Sequence, residues 1–250
     1  TVTTNGILLD RYLEELADAG IDGINISLDT PDPDLYGALT GGGDVKSVLN
    51  ALEHALKLCG SRHIPVKINA VSLDLKDAAR QLGVNYNGKG WQDMLAFARD
   101  YPVDVRFIEM MPVGYGKRYQ SLNHEILLKE LKIVFPNLEK DDRIHGNGPA
   151  VYYRIPGFQG GIGLISAIHG KFCPSCNRLR LTSQGYLKSC LCFEDGEDLK
   201  TILRGSGAKE EQDSRIVAAM ERAITGKPAA HCFEHPEQMT EYDNMVSIGG

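Results

Sequence analysis

Cys173, Cys176 and Cys190 stand in the pattern C-x2-C-x13-C within the run FCPSCNRLRLTSQGYLKSC. Thiolates are soft ligands, and this spacing suits an iron–sulfur cluster or zinc. The residues between the cysteines say how the third sulfur returns to the other two. Residues 177–182 read as a strand, Ser183, Gln184 and Gly185 as a turn, and residues 186–190 as the returning strand. Cys190 then comes back beside Asn177 and Arg178, close to Cys176. Side chains alternate along a strand, so Arg178 and Arg180 share one face while Leu179 and Leu181 take the other. Two guanidiniums beside a metal centre anchor a phosphorylated or otherwise anionic ligand.

A second set of polar residues lies in the first half of the chain, at the C-terminal ends of apolar, β-rich runs. Thr3, Thr4 and Asn5 end one run; Asn25, Ser27 and Asp29 line or end the next; Lys67 and Asn69 lie in a third; Arg106, Glu109 and Met111 close a fourth. An α/β barrel places its chemistry at such strand ends. Each has a plainer reading. Ser27 and Asp29 would cap a turn before Pro31, Arg106 and Glu109 would form a structural ion pair, and Met111 would be core. Lys67 and Asn69 alternate with Val66, Ile68 and Ala70, so their face is a polar barrel interior, or a solvated face if the sheet is open.

The elements that must carry these residues show in the periodicity. Residues 8–19 carry Leu9, Leu13, Leu16 and Ala17 at helical spacing, with Gly20 as terminator. Residues 45–58 repeat Val45, Val48, Leu49, Leu52 and Leu56 on one helical face. Residues 91–99 and 124–134 read as further helices. Strands are expected at 2–4, 23–28 (GINISL), 66–71 (VKINAV) and 103–110 (VDVRFIEM). Strand alternating with helix means parallel βα units, hence an α/β fold. So few strands do not close a barrel, and the chain opens at Thr1 rather than Met, so the first strands are expected to precede it. After Pro112 the rhythm changes to glycine-rich β runs, the cysteine hairpin, and helices near 197–203 and 214–224. Two domains are expected, residues 1–112 and 113–250.

Bulk properties narrow the function classes. The chain has 250 residues, 42% of them hydrophobic and 24% charged, which is ordinary for a globular protein with a sizeable core. A net charge of −6 argues against electrostatic binding of nucleic acid or an anionic membrane. Apolar runs stay below transmembrane length and no signal peptide opens the sequence. Six cysteines gathered toward one region point to cytoplasmic metal ligands rather than a secreted disulfide framework. Cys59 and Cys232 stand apart and read as buried apolar thiols.

Taken together, TTNG (3–6), GINISLD (23–29), VKINAV, RFIEMMP (106–112), FCPSCNRLRLTSQG and the terminal SIGG (247–250) resemble the GTP 3′,8-cyclase family of molybdenum cofactor biosynthesis, which are radical S-adenosylmethionine enzymes. The resemblance implies a partial (β/α)6 barrel, here missing its first strands, followed by a C-terminal iron–sulfur domain. It implies that a 5′-deoxyadenosyl radical takes the C3′ hydrogen of GTP, after which that carbon attacks C8 of guanine. Cys173, Cys176 and Cys190 match the ligands of a second [4Fe–4S] cluster with one open iron. Thr3, Lys67, Arg178, Leu179 and Arg180 match GTP contacts; Ser27 and Met111 match S-adenosylmethionine contacts. Gly249 and Gly250 match a terminus that reaches the active site. A reductant protein and a homodimeric partner are further expectations.

Departures from the family pattern count as well. The C-x3-C-x2-C motif that holds the radical-generating cluster is absent from these residues, as is the glycine-rich segment that grips the methionine part of the cofactor. That first [4Fe–4S] cluster is expected only in a complete protein, and the chain alone is expected to be inactive. Residues 73–87 read as a long connection, and Cys192 makes CLCF where CLF is expected. The alternatives are a structural zinc site closed by Cys192 as a fourth thiolate, or a non-catalytic nucleotide-binding partner.

Overall fold

The computed structural model describes residues 1–248. The chain forms two compact units: Thr1–Met110 with Tyr119–Gly170, and Met111–Arg118 with the residues from Lys171 onward.

The first unit is a mixed α/β sheet of seven strands, β1 (Val2–Thr4), β2 (Ile24–Ser27), β3 (Val66–Val71), β4 (Asp104–Ile108), β5 (Glu139–Asp141), β6 (Val151–Arg154) and β7 (Ile162–Ile165), in the order β1-β2-β3-β4-β7-β6-β5. Pairing is parallel from β1 through β4 to β7, then antiparallel to β6 and β5. The parallel run therefore continues past residue 112, because β7 docks on β4.

Between the strands run α1 (Leu9–Asp18), α2 (Pro33–Thr40), α3 (Val45–Arg62), α4 (Leu75–Leu82), α5 (Trp91–Asp100) and α6 (His124–Val134). Their apolar stripes explain their placement. Leu9, Leu13 and Ala17 of α1 are buried four residues apart, and Gly20 follows with φ 76°. In α3 the Asp44 carboxylate accepts from the N–H groups of Lys46 and Ser47, and Val45, Val48, Leu52, Ala55 and Cys59 are buried. These stripes meet Ile24, Ile26, Val66, Ile68, Val105, Phe107, Ile162 and Leu164 in one apolar core. By strand alternation, Asn25, Ser27, Lys67, Asn69, Asp104 and Arg106 fall on the opposite face of the sheet.

Two helices lie where the sequence reads as connection. One is α2, after Asp29. The other is α4, within residues 73–87, where Asp74 caps the N-terminus by accepting from Lys76 and Asp77 N–H and Gly83 ends the helix at φ 70°. Leu75 and Ala79 join Leu35 and Leu73 in a small separate core.

The second unit holds β8 (Arg180–Leu181), β9 (Tyr186–Lys188) and β10 (Gly196–Asp198) in an antiparallel sheet ordered β10-β9-β8, with α7 (Leu199–Arg204) and α8 (Lys209–Thr225). Leu187 packs with Leu199, Ala219 and Ala223. The hairpin turn closes through Gly185 (φ 85°), whose N–H donates to Thr182 O at 2.9 Å. No helix among the described residues is long and apolar enough to cross a membrane.

Candidate functional site

In the first unit, parallel register lines Thr3, Asn25, Lys67 and Asp104 in one row across β1–β4, and Ser27, Asn69 and Arg106 in the next. Side chains knit the rows together. Asn25 Nδ2 donates to Thr3 Oγ1 (3.2 Å), while Arg106 donates through Nε to Asn69 Oδ1 (2.8 Å) and through Nη2 to Asn25 Oδ1 (2.7 Å). Glycine makes room for this arginine: a Cβ on Gly163 would lie 2.9 Å from Arg106 Cγ and 3.0 Å from Tyr152 Cε1. Thr3, Ser27 and Lys67, the sequence candidates in this unit, thus share one polar face.

Lys67 is only 8% exposed. Burial lowers its affinity for the proton, and the Asp104 carboxylate, 3.7 Å from Nζ, opposes that effect. Arg106 and Glu109 do not serve as each other's partners in the bonds described. Glu109 is fully buried and accepts from Ile168 N–H (2.7 Å), from His169 N–H (3.0 Å) and from the His169 ring. Burial alone would raise its pKa, but these donors bring it below the ordinary carboxylate value. Asp29 is not the turn cap, a place that Thr30 and Asp32 take; its Oδ1 accepts from Val71 N–H at 2.7 Å and fixes the end of β3.

In the second unit a single 3-10 turn spans Cys173–Ser175, closed by Cys176 N–H to Cys173 O at 3.1 Å. Residues three apart eclipse in such a turn, so Cys173 and Cys176 project from one side. The β8–β9 hairpin returns Cys190 to their neighbourhood, where burial raises the Cys190 pKa and the other two thiols add to the effect. Arg180 shares the neighbourhood. Burial lowers its pKa, Arg178 lowers it further, and the Cys176 and Cys190 thiolates oppose both. Arg180 pairs with Lys188 across the hairpin. Leu179 is 36% exposed and Leu181 59% exposed, so the leucines beside the arginines are not spent on the core.

Lys227, which the sequence gives no reason to single out, clamps this hairpin. Its Nζ donates to Arg178 O and Ser189 O, each at 2.7 Å, holding the strand that follows Cys176 against the residue preceding Cys190. Cys190 Sγ also accepts from Cys192 N–H at 3.5 Å. Cys192 and Cys232 are not isolated thiols: their Sγ atoms lie 2.9 Å apart, and Cys232 N–H donates to Cys192 Sγ at 3.2 Å. Burial pushes the Cys192 thiol up to about 12, with the Cys232 contact adding to it. Cys192 thus sits with Cys232. Among the described residues no three His, Cys, Asp or Glu side chains close on a single metal ion. Cys59 is the buried apolar thiol expected, at 0% exposure in the α3 core.

Met111 belongs to the second unit and is half-buried. Gly249 and Gly250 lie outside the described residues.

Comparison with known proteins decides what this arrangement belongs to. Residues 1–82 match the family model described as Radical SAM superfamily, and residues 103–233 match Molybdenum Cofactor Synthesis C. A protein named GTP 3′,8-cyclase from Clostridium perfringens (strain 13 / Type A) is 35% identical over 249 residues, covering 100% of this chain and 72% of that protein. The GTP 3′,8-cyclase of Peptoclostridium acidaminophilum is 38% identical over 250 residues, covering 100% and 70%. That of Alkaliphilus oremlandii (strain OhILAs) is 36% identical over 253 residues, covering 100% and 71%.

The chain belongs to the GTP 3′,8-cyclase family. It spans 70–72% of the length of these relatives, radical S-adenosylmethionine lyases of molybdenum cofactor biosynthesis. The cysteine hairpin and the Lys227 clamp lie within the portion matched as Molybdenum Cofactor Synthesis C, as do Asp104, Arg106 and Glu109. Thr3, Ser27 and Lys67 lie within the Radical SAM portion.

Proposed function

We propose that this chain binds GTP beside a [4Fe–4S] cluster held by Cys173, Cys176 and Cys190. Such a site would serve the conversion of GTP to (8S)-3′,8-cyclo-7,8-dihydroguanosine 5′-triphosphate. One observation carries the reading: a half-buried arginine, Arg180, interacts electrostatically with the Cys176 and Cys190 thiols, on a hairpin that Lys227 locks. The donor set fits the group. Three soft thiolates, a backbone N–H aimed at Cys190 Sγ and a nearby ammonium are what an anionic iron–sulfur centre needs from its protein. Such a cluster, when bound, supplies an iron without a protein thiolate as a Lewis-acid docking point for the guanine base.

The chain's own residues do the rest. Arg178 and Arg180 bind the anionic triphosphate, with the Leu179 backbone between them. Lys67 and Thr3 supply further polar contacts to the nucleotide, while Ser27 and Met111 contact S-adenosylmethionine. In this reading the polar sheet face is the inner wall of a partial radical S-adenosylmethionine barrel. The division of labour falls near residue 112, with residues 113–250 as the cluster half. The protein is cytoplasmic, draws electrons from a reductant protein and works as a homodimer.

The zinc alternative needs Cys192 as a fourth ligand, and its thiol lies against Cys232 instead. Anoxic reconstitution with iron and sulfide, followed by metal analysis and calorimetric titration with GTP, tests the proposal. It expects iron and sulfide in about equal amounts, and GTP binding that the Arg178→Ala, Arg180→Ala double variant loses. Unchanged affinity in that variant, or stoichiometric zinc without sulfide, would overturn it.

A further inference from the structure

We infer that His145 is a positioning residue for Lys67: its backbone carbonyl and clamped ring fix the lysine ammonium at one place on the polar sheet face. The inference rests on the reading of Lys67 as a nucleotide contact and adds to it a residue that no sequence pattern marks.

A lysine ammonium has three N–H donors on a flexible stem, so its position is set by what accepts from it. Here the acceptors are His145 O, Tyr152 Oη at 3.2 Å and, by ion pairing, Asp104 Oδ2 at 3.7 Å. Tyr152 and Asp104 stand on strands, where the sheet holds them. His145 does not; it belongs to the connection between β5 and β6. Its carbonyl stays in place because the ring is held from several directions at once.

His145 Nδ1 meets Asp104 Oδ2 at 2.9 Å, and Nε2 meets Asp141 Oδ2 at 3.1 Å. Each ring nitrogen therefore lies within hydrogen-bond reach of a carboxylate oxygen, and the two contacts fix the plane of the ring. The ring also stacks on Tyr152, with centroids 3.9 Å apart and planes 9° from parallel. Asp104 is itself aimed, because its Oδ1 accepts from Gly161 N–H at 2.9 Å and leaves Oδ2 for His145 and Lys67. Asp141 is anchored by Arg143, which donates through Nε to Oδ1 (2.8 Å) and through Nη2 to Oδ2 (2.5 Å). The next residue, Gly146, turns at φ 109°, and a Cβ there would lie 3.9 Å from Lys67 Nζ, so the backbone passes close over the ammonium. The ring, its two carboxylates and the tyrosine therefore form one device around one cation. A cation ordered in advance costs a ligand less to bind.

Two readouts separate this inference from the reading beneath it. The first is the ¹⁵N-lysine NMR signal of the Lys67 ammonium in the 250-residue chain without nucleotide, assigned by its loss in Lys67→Met. A slowly exchanging ammonium is expected in the unaltered chain and should be lost in His145→Ala; its persistence there overturns the inference. The second is anoxic GTP titration of the reconstituted chain. Hydrogen bonds to charged groups set the scale, so Lys67→Met should weaken binding about 10- to 100-fold. His145→Ala should weaken it several-fold, the double variant no further than Lys67→Met alone, and His145→Gln should recover part of the loss. Independent, multiplying losses would overturn the inference. Should Lys67→Met leave GTP affinity unchanged while the NMR signal still depends on His145, the nucleotide contact falls and the positioning stands. If His145→Ala does not fold, Asp141→Asn releases the ring at Nε2 without opening a cavity and is expected to give the same NMR change.

Discussion

Lys227 does for the cysteine hairpin what the cysteines cannot do for themselves. Thiols with 13 residues between them, Cys176 and Cys190, come together only if both strands stay zipped, and β8 has just two residues of ladder. The ammonium bridging Arg178 O and Ser189 O replaces the missing ladder bonds. Removing it in Lys227→Met should cost about 1.5–3 kcal/mol locally, the range for hydrogen bonds to a charged group. The expected outcome is less iron and sulfide retained per chain after gel filtration, with Lys227→Arg keeping more than Lys227→Met. Cys190→Ser should lose the iron, and Cys192→Ser should keep it, because Cys192 is committed to Cys232. Iron loss in Cys192→Ser equal to that in Cys190→Ser would reinstate it as a ligand. The trio and the two arginines were legible in the sequence because their meaning lies in local spacing. Lys227, Cys232 and His145 were not, since each acts on residues 38 to 78 positions away and nothing in its own neighbourhood says so.

Elements were legible in proportion to their length and periodicity. The 18 residues of α3 and the 11 of α6 repeat their apolar positions often enough to stand out. The eight residues of α4 make barely two turns, and the Asp74 cap and Gly83 stop are signals that also occur in turns. What holds the elements together was less visible still. His124, at the start of α6, contacts Ser72 Oγ at 2.8 Å just beyond β3 and Ser166 Oγ at 3.0 Å just beyond β7. Burial lowers its pKa from the ordinary 6.5, with Glu109 opposing and His169 adding to the shift. The native ring is thus neutral where the unfolded one takes up a proton. By linkage its stabilising contribution is complete above about pH 6.5 and erodes as the pH falls below that. Thermal unfolding midpoints measured from pH 7.5 to 5.5 should therefore fall in the unaltered chain, and fall less in His124→Gln. Equal slopes in the two would place the pH dependence elsewhere.

At the scale of the whole molecule, the thiols decide which chemistry these 250 residues can carry. Of the six cysteines, Cys59 is sealed in the core beneath α3, Cys192 and Cys232 face each other, and only Cys173, Cys176 and Cys190 form a trio on an accessible hairpin. The proposed function calls for two such trios, one to deliver an electron to S-adenosylmethionine and one beside the nucleotide. The proposed reading spends the Cys173, Cys176 and Cys190 set beside the nucleotide, and the other three cysteines of these 250 residues are too scattered to form a second set. Binding and turnover should therefore separate. The reconstituted chain, given S-adenosylmethionine, GTP and excess dithionite under anoxia, is expected to bind GTP but form no 5′-deoxyadenosine above a protein-free control by chromatography. A radical-type activity from this chain would show that Cys173, Cys176 and Cys190 themselves pass electrons to S-adenosylmethionine, which Cys190→Ser would then abolish. Supplying a separate polypeptide that carries C-x3-C-x2-C is expected to yield 5′-deoxyadenosine only if it also pairs with β1, the strand whose outer edge is unpaired among the described residues.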